Sequence, residues 1–128
     1  MKLLLDTHLL IWAAGFPHRM PEKARELLDD VDNDLFFSAA SIWEIAIKSS
    51  LGRDDFVIDA RLLRRGLLDN GYSELPIISE HAVAIDALPA IHKDPFDRIL
   101  VAQSMIEGIT LLTANETVAL YPGPIRKC

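Results

Sequence analysis

The chain has 128 residues, of which 50% are hydrophobic and 25% charged, a composition typical of one ordinary globular domain. The single cysteine, Cys128, excludes an intramolecular disulfide, and no apolar run resembles a membrane span or a signal peptide, so we expect a cytoplasmic protein. Nineteen acids against thirteen Lys and Arg give a formal net charge of −6, which disfavours nucleic-acid binding through a basic surface alone.

The first half of the chain predicts alternating strands and helices. The opening segment KLLLD is apolar at successive positions, as in a strand buried on both faces of a parallel sheet. Pro21 stands at the expected first position of one helix, and Ser38 is the expected cap of another that ends at Gly52. The predicted elements are a strand at 2–6, helices at 9–14 and 21–31, a strand at 34–38 and a helix at 38–52.

The second half carries the clearest local signal, the helix at 94–108. Asp94 is its predicted cap, Pro95 occupies the first helical position, and Gly108 ends it. The other predicted elements are a helix at 59–71, a strand at 74–77, a helix at 79–88 and a strand at 109–113, before a proline-rich tail. This alternation predicts one α/β domain, 1–128, with a mainly parallel central sheet flanked by helices.

Polar side chains follow two of the predicted strands. Asp6 ends the first strand, and Thr113 and Asn115 end the last. In open α/β sheets, ligands bind outside the carboxyl ends of the strands. Asp97 reaches the same edge if its helix runs antiparallel to the strand that follows, and periodicity alone leaves that point open.

Glu44 lies among apolar neighbours in the segment ASIWEIAIK. A buried carboxylate is costly unless it is paired or bound to a metal. The simpler explanation is a surface ion pair with Lys48, four residues later. The sequence does not choose between the two.

Several other conspicuous residues have simple structural explanations. Asp94 is expected to be a helix cap, and Asp97 its reciprocal acid. Structural roles are also the simplest expectation for a turn histidine, two core tryptophans and two arginines on a solvated helix face: His8, Trp12, Trp43, Arg64 and Arg65.

Asp6, Glu44 and Asp97, if they converge, form an oxygen-only site suited to Mg²⁺ or Mn²⁺. Such an ion binds phosphate, activates water and stabilises the departing oxygen of a phosphodiester. The sequence contains no G-x-S-x-G elbow, P-loop or G-x-G-x-x-G segment, which disfavours a serine hydrolase or a nucleotide-binding protein.

Three segments carry a resemblance to a known family: LLLDTHLLIW, SAASIWEIAIKSSLGR, and HKDPFDRILVAQSMIEGITLLTAN followed by Tyr121. In this order they resemble the PIN-domain family, and within it the VapC-type toxin ribonucleases of toxin–antitoxin pairs. The resemblance covers nearly the whole chain. It implies a compact α/β sandwich whose acids meet at one end of a parallel sheet, a cognate antitoxin that holds the toxin inactive, an RNA substrate and a homodimer.

The resemblance assigns the family's metal-binding acids to Asp6, Glu44 and Asp97, with Asp94 as an additional or supporting group. It implies a Mg²⁺- or Mn²⁺-dependent endoribonuclease that uses a metal-activated water.

The family often has a fourth acid in a T-x-D pattern, where this chain reads Thr113, Ala114, Asn115. The amide brings no charge, so a second metal should bind more weakly unless Glu116 substitutes. The missing acid supports one alternative, a catalytically weak PIN domain that binds an antitoxin or RNA. Another is a metal hydrolase of small phosphate esters. The candidates for phosphate contact are Lys48, Arg53, Arg64, Arg65, Lys93 and Arg98.

Overall fold

The structure, a computed structural model, describes residues 1–51 and 58–128. The strands are β1 (Lys2–Leu5), β2 (Asp34–Ser38), β3 (Ser73–Leu75), β4 (Thr110–Thr113) and β5 (Ile125–Lys127). The α-helices are α1 (Thr7–Gly15), α2 (Glu22–Asp29), α3 (Ala39–Ser50), α4 (Ala60–Asp69), α5 (Ser79–Ala84) and α6 (Pro95–Glu107). Short 3₁₀ turns lie at Pro17–Arg19, Ile85–Ala87 and Val118–Leu120.

The strands form one parallel sheet in the order β3-β2-β1-β4-β5. Because every strand runs in the same direction, all the carboxyl ends lie on one side of the sheet, which we call the carboxyl edge. The chain leaves β1 for β2 on one side and later returns to β4 on the other. Ligands of open α/β sheets bind where the strand order reverses in this way.

Apolar strand residues fill a core on each face of the sheet. Leu3 and Leu5 pack with residues of α1, α2 and α4, whereas Leu4 and Leu111 pack with residues of α6 on the opposite face. Leu3, Leu4 and Leu5 have no exposed surface, as expected for a central strand covered on both sides. The predicted α/β class and mainly parallel sheet are confirmed.

Three helices begin at the carboxyl edge. Asp6 caps α1, Ser38 caps α3 by accepting the Ala40 N–H at 3.0 Å, and Asp94 caps α6 by accepting the Phe96 N–H at 2.9 Å. Helix α6 ends at Gly108, with φ 67°, and leads directly into the amino end of β4. It therefore runs antiparallel to β4 and starts at the carboxyl edge, which answers the question that periodicity left open.

Several predicted details differ from the structure. Pro21 caps α2 and does not occupy its first position. The helix predicted at 79–88 ends at Ala84 and continues as a 3₁₀ turn. Strand β5 was not predicted in the proline-rich tail, because three residues at a sheet edge gain their order from pairing with β4. The predicted helix end at Gly52 lies outside the described residues.

Trp43 is not a core residue, since 58% of its surface is exposed. The buried residues of α3 are Ala40, Ser41, Glu44 and Ile45, and they recur on one face of the helix. Trp43 lies on the other face. Within residues 1–51 and 58–128, every helix falls short of the length and hydropathy of a membrane span.

Candidate active site

Asp6 is buried at the carboxyl end of β1, with 4% of its surface exposed. One carboxylate oxygen accepts the Leu9 N–H at 3.0 Å, and the other accepts the Thr113 hydroxyl at 2.5 Å. Burial raises the pKa of Asp6 above its ordinary value, and the hydrogen bonds from Thr113 and Leu9 oppose that effect. The Thr113 bond joins the ends of β1 and β4, where the strand order reverses.

Glu44 is also buried, with 3% of its surface exposed. Thr7 Oγ1 donates to Glu44 Oε1 at 2.8 Å, and Lys48 Nζ donates to Oε2 at 2.6 Å. The sequence offered two explanations of Glu44, a buried acid or an ion pair with Lys48. Both apply, because the carboxylate is buried and also pairs with this partly exposed lysine. Sequence reasoning missed Thr7, whose one signal was its place directly after Asp6.

Asp97 lies in the first turn of α6, with 18% of its side chain exposed. Burial raises its pKa to about 6, and the negative charges of Asp94, Glu44 and Asp6 add to that rise. His92 opposes it, with Nε2 3.6 Å from Asp97 Oδ2. The structure thus brings acids carried by α1, α3 and α6 or their caps close enough for their charges to interact.

The histidine that precedes the DPFDR segment is held in one orientation. His92 Nδ1 accepts the Asp94 N–H at 3.0 Å, which turns Nε2 toward Asp97. Tyr121, 4% exposed, accepts the His92 N–H at 2.8 Å and donates its hydroxyl to the His92 carbonyl at 3.1 Å. These contacts fix the segment that carries Asp94.

Arg98 does not point toward the site as a phosphate contact. Its guanidinium donates to the carbonyls of Ile85, Pro89 and His92 at 3.2–3.4 Å. The side chain therefore stabilises the loop before α6.

Asn115 and Glu116, the two candidates for a fourth ligand, have other partners in the structure. Asn115 Oδ1 accepts the N–H groups of Thr117 and Val118 at 2.8 and 3.2 Å and so caps the following 3₁₀ turn. The side chain of Glu116 is 86% exposed and faces Lys127 Nζ at 3.4 Å. The suggestion that Glu116 replaces the missing acid finds no support here.

Of the remaining basic candidates, Lys48 and Lys93 lie next to site acids. Lys48 pairs with Glu44, and exposed Lys93 directly precedes Asp94.

The predicted solvated face of α4 is confirmed, since Arg64 and Arg65 are exposed and Arg64 pairs with Glu74. Arg53 lies outside the described residues. His8 is exposed, with its ring 6.1 Å from that of partly buried Trp12.

The chemistry of these acids suits a hard divalent cation. Every candidate donor is a carboxylate oxygen, and burial, with the negative charges of Asp94, Glu44 and Asp6 added, raises the pKa of Asp97. Across the two described ranges, no three His, Cys, Asp or Glu side chains already form a metal-ligand cluster. Lys48 Nζ lies 2.6 Å from Glu44 Oε2 and neutralises part of that carboxylate's charge, so Asp6 and Asp97 fit direct ligation better, and Glu44 fits a contact through water.

Comparisons with known proteins agree with the fold. The family model of the PIN domain matches residues 3–123. No curated protein matches the chain. Chains from two DNA-bound crystal structures are similar in fold. One is VapBC2 from Rickettsia felis, bound to a promoter fragment, at 14% sequence identity with a TM-score of 0.70. The other is VapBC from Salmonella typhimurium, at 16% sequence identity with a TM-score of 0.71.

A third similar structure is that of VapBC-1 from nontypeable Haemophilus influenzae, at 15% identity with a TM-score of 0.60. Each comparison covers 99% of this chain and 98% of the other. At these identities the likeness is one of fold.

Proposed function

Because the chain belongs to the PIN domain family, we propose that it is a VapC-type toxin, a Mg²⁺- or Mn²⁺-dependent endoribonuclease that hydrolyses RNA phosphodiester bonds. One observation carries the proposal: Asp6 and Glu44 lie near enough to Asp97, in the first turn of α6 at the carboxyl edge, for their negative charges to add to the rise in its pKa. The similarity in fold to VapBC structures supports it.

The chain's own residues have distinct roles in this proposal. Asp6 and Asp97 bind the cation, which when bound polarises a water and stabilises negative charge on the scissile phosphate. Thr113 orients Asp6 through its hydroxyl, and His92 orients Asp97. Lys48 holds a positive charge beside Glu44, where it can also approach a phosphate oxygen.

The helix starts contribute to the same electrostatic field. Helices α1, α3 and α6 all begin at the carboxyl edge, and the N–H groups of their first turns carry partial positive charge. That charge stabilises the carboxylates in the metal-free protein and the phosphate when substrate is bound. No covalent bond between the protein and RNA is required.

We further propose a cognate antitoxin, a homodimer and a cytoplasmic location. The solved structures with a similar fold are VapBC assemblies, which supports the proposal of an antitoxin. Recovery of a second, smaller protein with this one on purification, followed by loss of nuclease activity when the two are mixed, would test the antitoxin proposal.

A second candidate function is a catalytically weak PIN domain that binds an antitoxin or RNA without cutting it. The capping role of Asn115 favours this candidate, because its oxygen is engaged by two backbone N–H groups and the position carries no charge. Under this alternative, the folded, metal-replete protein binds RNA and leaves it intact.

The nuclease is tested by incubating the purified, partner-free protein with mixed cellular RNA, with Mn²⁺, Mg²⁺ or a chelator. We expect metal-dependent cleavage that Asp97→Asn abolishes. Asp32→Asn, at an exposed residue before β2 on the opposite edge, should cleave normally. Activity on a generic phosphate ester but none on RNA would instead indicate a small-molecule hydrolase.

A further inference from the structure

Two aromatic residues are direct sequence neighbours of the proposed catalytic acids. Trp43 precedes Glu44 on α3, and Phe96 precedes Asp97 on α6. Their ring centroids are 5.2 Å apart with an interplanar angle of 79°, an edge-to-face contact. The pair therefore connects the two helices that supply two of the three acids.

The exposure of Trp43 is not explained by the fold. Its surface is 58% exposed, while Phe96 is only partly exposed. Burial of an indole ring is a large source of stability, so a tryptophan held in water, with its ring against Phe96 in the first turn of α6, has a surface left for another group. The contact with Phe96 restricts the ring without covering it.

The charge of the protein indicates what kind of group that is. The formal net charge is −6, and Asp6, Glu44, Asp94 and Asp97 add local negative charge where the phosphate must approach. Attraction of the phosphate backbone alone is therefore a poor source of affinity. Stacking of a base on an aromatic ring does not depend on the charge of the protein, and every nucleobase offers a π-face.

Resting on the proposed nuclease function, we propose that Trp43, supported by Phe96, stacks with an unpaired nucleobase next to the scissile phosphate. The pair is a binding subsite and takes no part in the chemical step. Because a base in a duplex has both faces covered by its neighbours, the subsite selects single-stranded RNA, loops or bases turned out of a helix.

Binding is measured first, in a chelator, so that no cleavage is needed. Trp12 and Trp43 are the two tryptophans of the chain, so Trp12→Phe leaves Trp43 as the single indole. We expect oligouridine to quench the Trp43 fluorescence of this variant. An abasic oligonucleotide of the same length and phosphate charge should not quench it, since it lacks the stacking group.

The variants separate a stacking role from a general effect on the surface. Trp43→Ala should weaken oligouridine binding roughly 5- to 150-fold, the range for loss of one stacked base, while Trp43→Phe retains most of the affinity. Phe96→Ala should weaken binding less, and its effect should shrink when Trp43 is already alanine. Phe16→Ala is the matched control, because Phe16 is 41% exposed just past the far end of α1.

In cleavage assays with Mn²⁺, Trp43→Ala should raise KM by a similar factor and leave kcat nearly unchanged. Equal affinities of wild type and Trp43→Ala for oligouridine would overturn the proposal, as would equal quenching by the abasic strand. Ile47 and Leu51 continue the exposed face of α3 from Trp43. Conversion of a dimer to a monomer by Trp43→Ala, with RNA affinity unchanged, would therefore assign the face to a protein interface and refute stacking.

The two proposals fail in different ways. Base-dependent quenching without any metal-dependent cleavage would support the subsite and refute the nuclease. Cleavage that is indifferent to Trp43→Ala in both KM and kcat would support the nuclease and refute the subsite.

Discussion

Replacing Asp97 with asparagine should stabilise the metal-free protein at pH 8 and have little effect on its stability at pH 4. The folded protein raises the pKa of this carboxyl from 3.8 to about 6, chiefly through burial and then through the charges of Asp94, Glu44 and Asp6. Because the folded pKa is the higher one, the folded state binds the proton more tightly than the unfolded chain does. The charged form therefore costs stability above pH 6.

The size of the effect follows from that difference. About two pH units at about 1.4 kcal/mol each give an upper limit of about 3 kcal/mol in the free energy of unfolding at pH 8. Solvent around a carboxyl that is 18% exposed screens part of this, and we expect about 1–2 kcal/mol for Asp97→Asn. The cost shrinks as pH falls from 6 toward 3.8, where the folded carboxyl already holds its proton, and it is lost below that.

Urea unfolding in a chelator, at pH 8 and pH 4, measures the effect directly. Asp32→Asn removes the same charge from an exposed site before β2 and serves as the control. A destabilised Asp97→Asn protein at pH 8, or an equal shift at both pH values, would refute the view that burial and neighbouring negative charge raise the pKa of Asp97.

Three further predictions concern catalysis, each followed by Mn²⁺-dependent RNA cleavage. Thr113→Val removes the hydroxyl that donates to Asp6 and should lower kcat roughly tenfold, whereas Thr113→Ser should stay close to wild type. A valine variant with wild-type kcat would show that this hydrogen bond does not position Asp6. Asn115→Asp keeps an oxygen for the Thr117 and Val118 N–H groups. It should change kcat less than about tenfold, since three acids suffice in the proposed mechanism. A much larger gain in kcat would favour the alternative of a catalytically weak PIN domain. At low Mn²⁺ the cleavage rate should rise by up to about tenfold per pH unit below pH 6 and level off above pH 6. The reason is that Asp97 must lose its proton to bind the cation. A cleavage rate that is constant from pH 5 to 7 would contradict this role of Asp97.

Local signals predicted the parts of the fold that local chemistry determines. The Asp94 cap, Pro95 at the helix start and the Gly108 stop are all found as expected, and so is the apolar run of β1 that ends at Asp6. These features depend on a few neighbouring residues, so the sequence carries them directly.

Features that depend on distant neighbours were harder to predict. Whether Glu44 is buried or paired with Lys48 required the position of Thr7 on another helix. Trp43 was expected in the core because a tryptophan usually is, and only the packing of α3 on the sheet decides which face of the helix is exposed. Arg98 was a candidate for phosphate contact, but tertiary packing places it on loop carbonyls.

The central claim is that the acids at the carboxyl edge bind a divalent cation. Crystals soaked in Mn²⁺ and measured near the manganese absorption edge would locate the ion by its anomalous signal. We expect a peak within ligand distance of Asp6 and Asp97 that is absent from Asp97→Asn crystals treated identically. A peak elsewhere, or none in wild-type crystals at saturating Mn²⁺, would contradict the proposed active site.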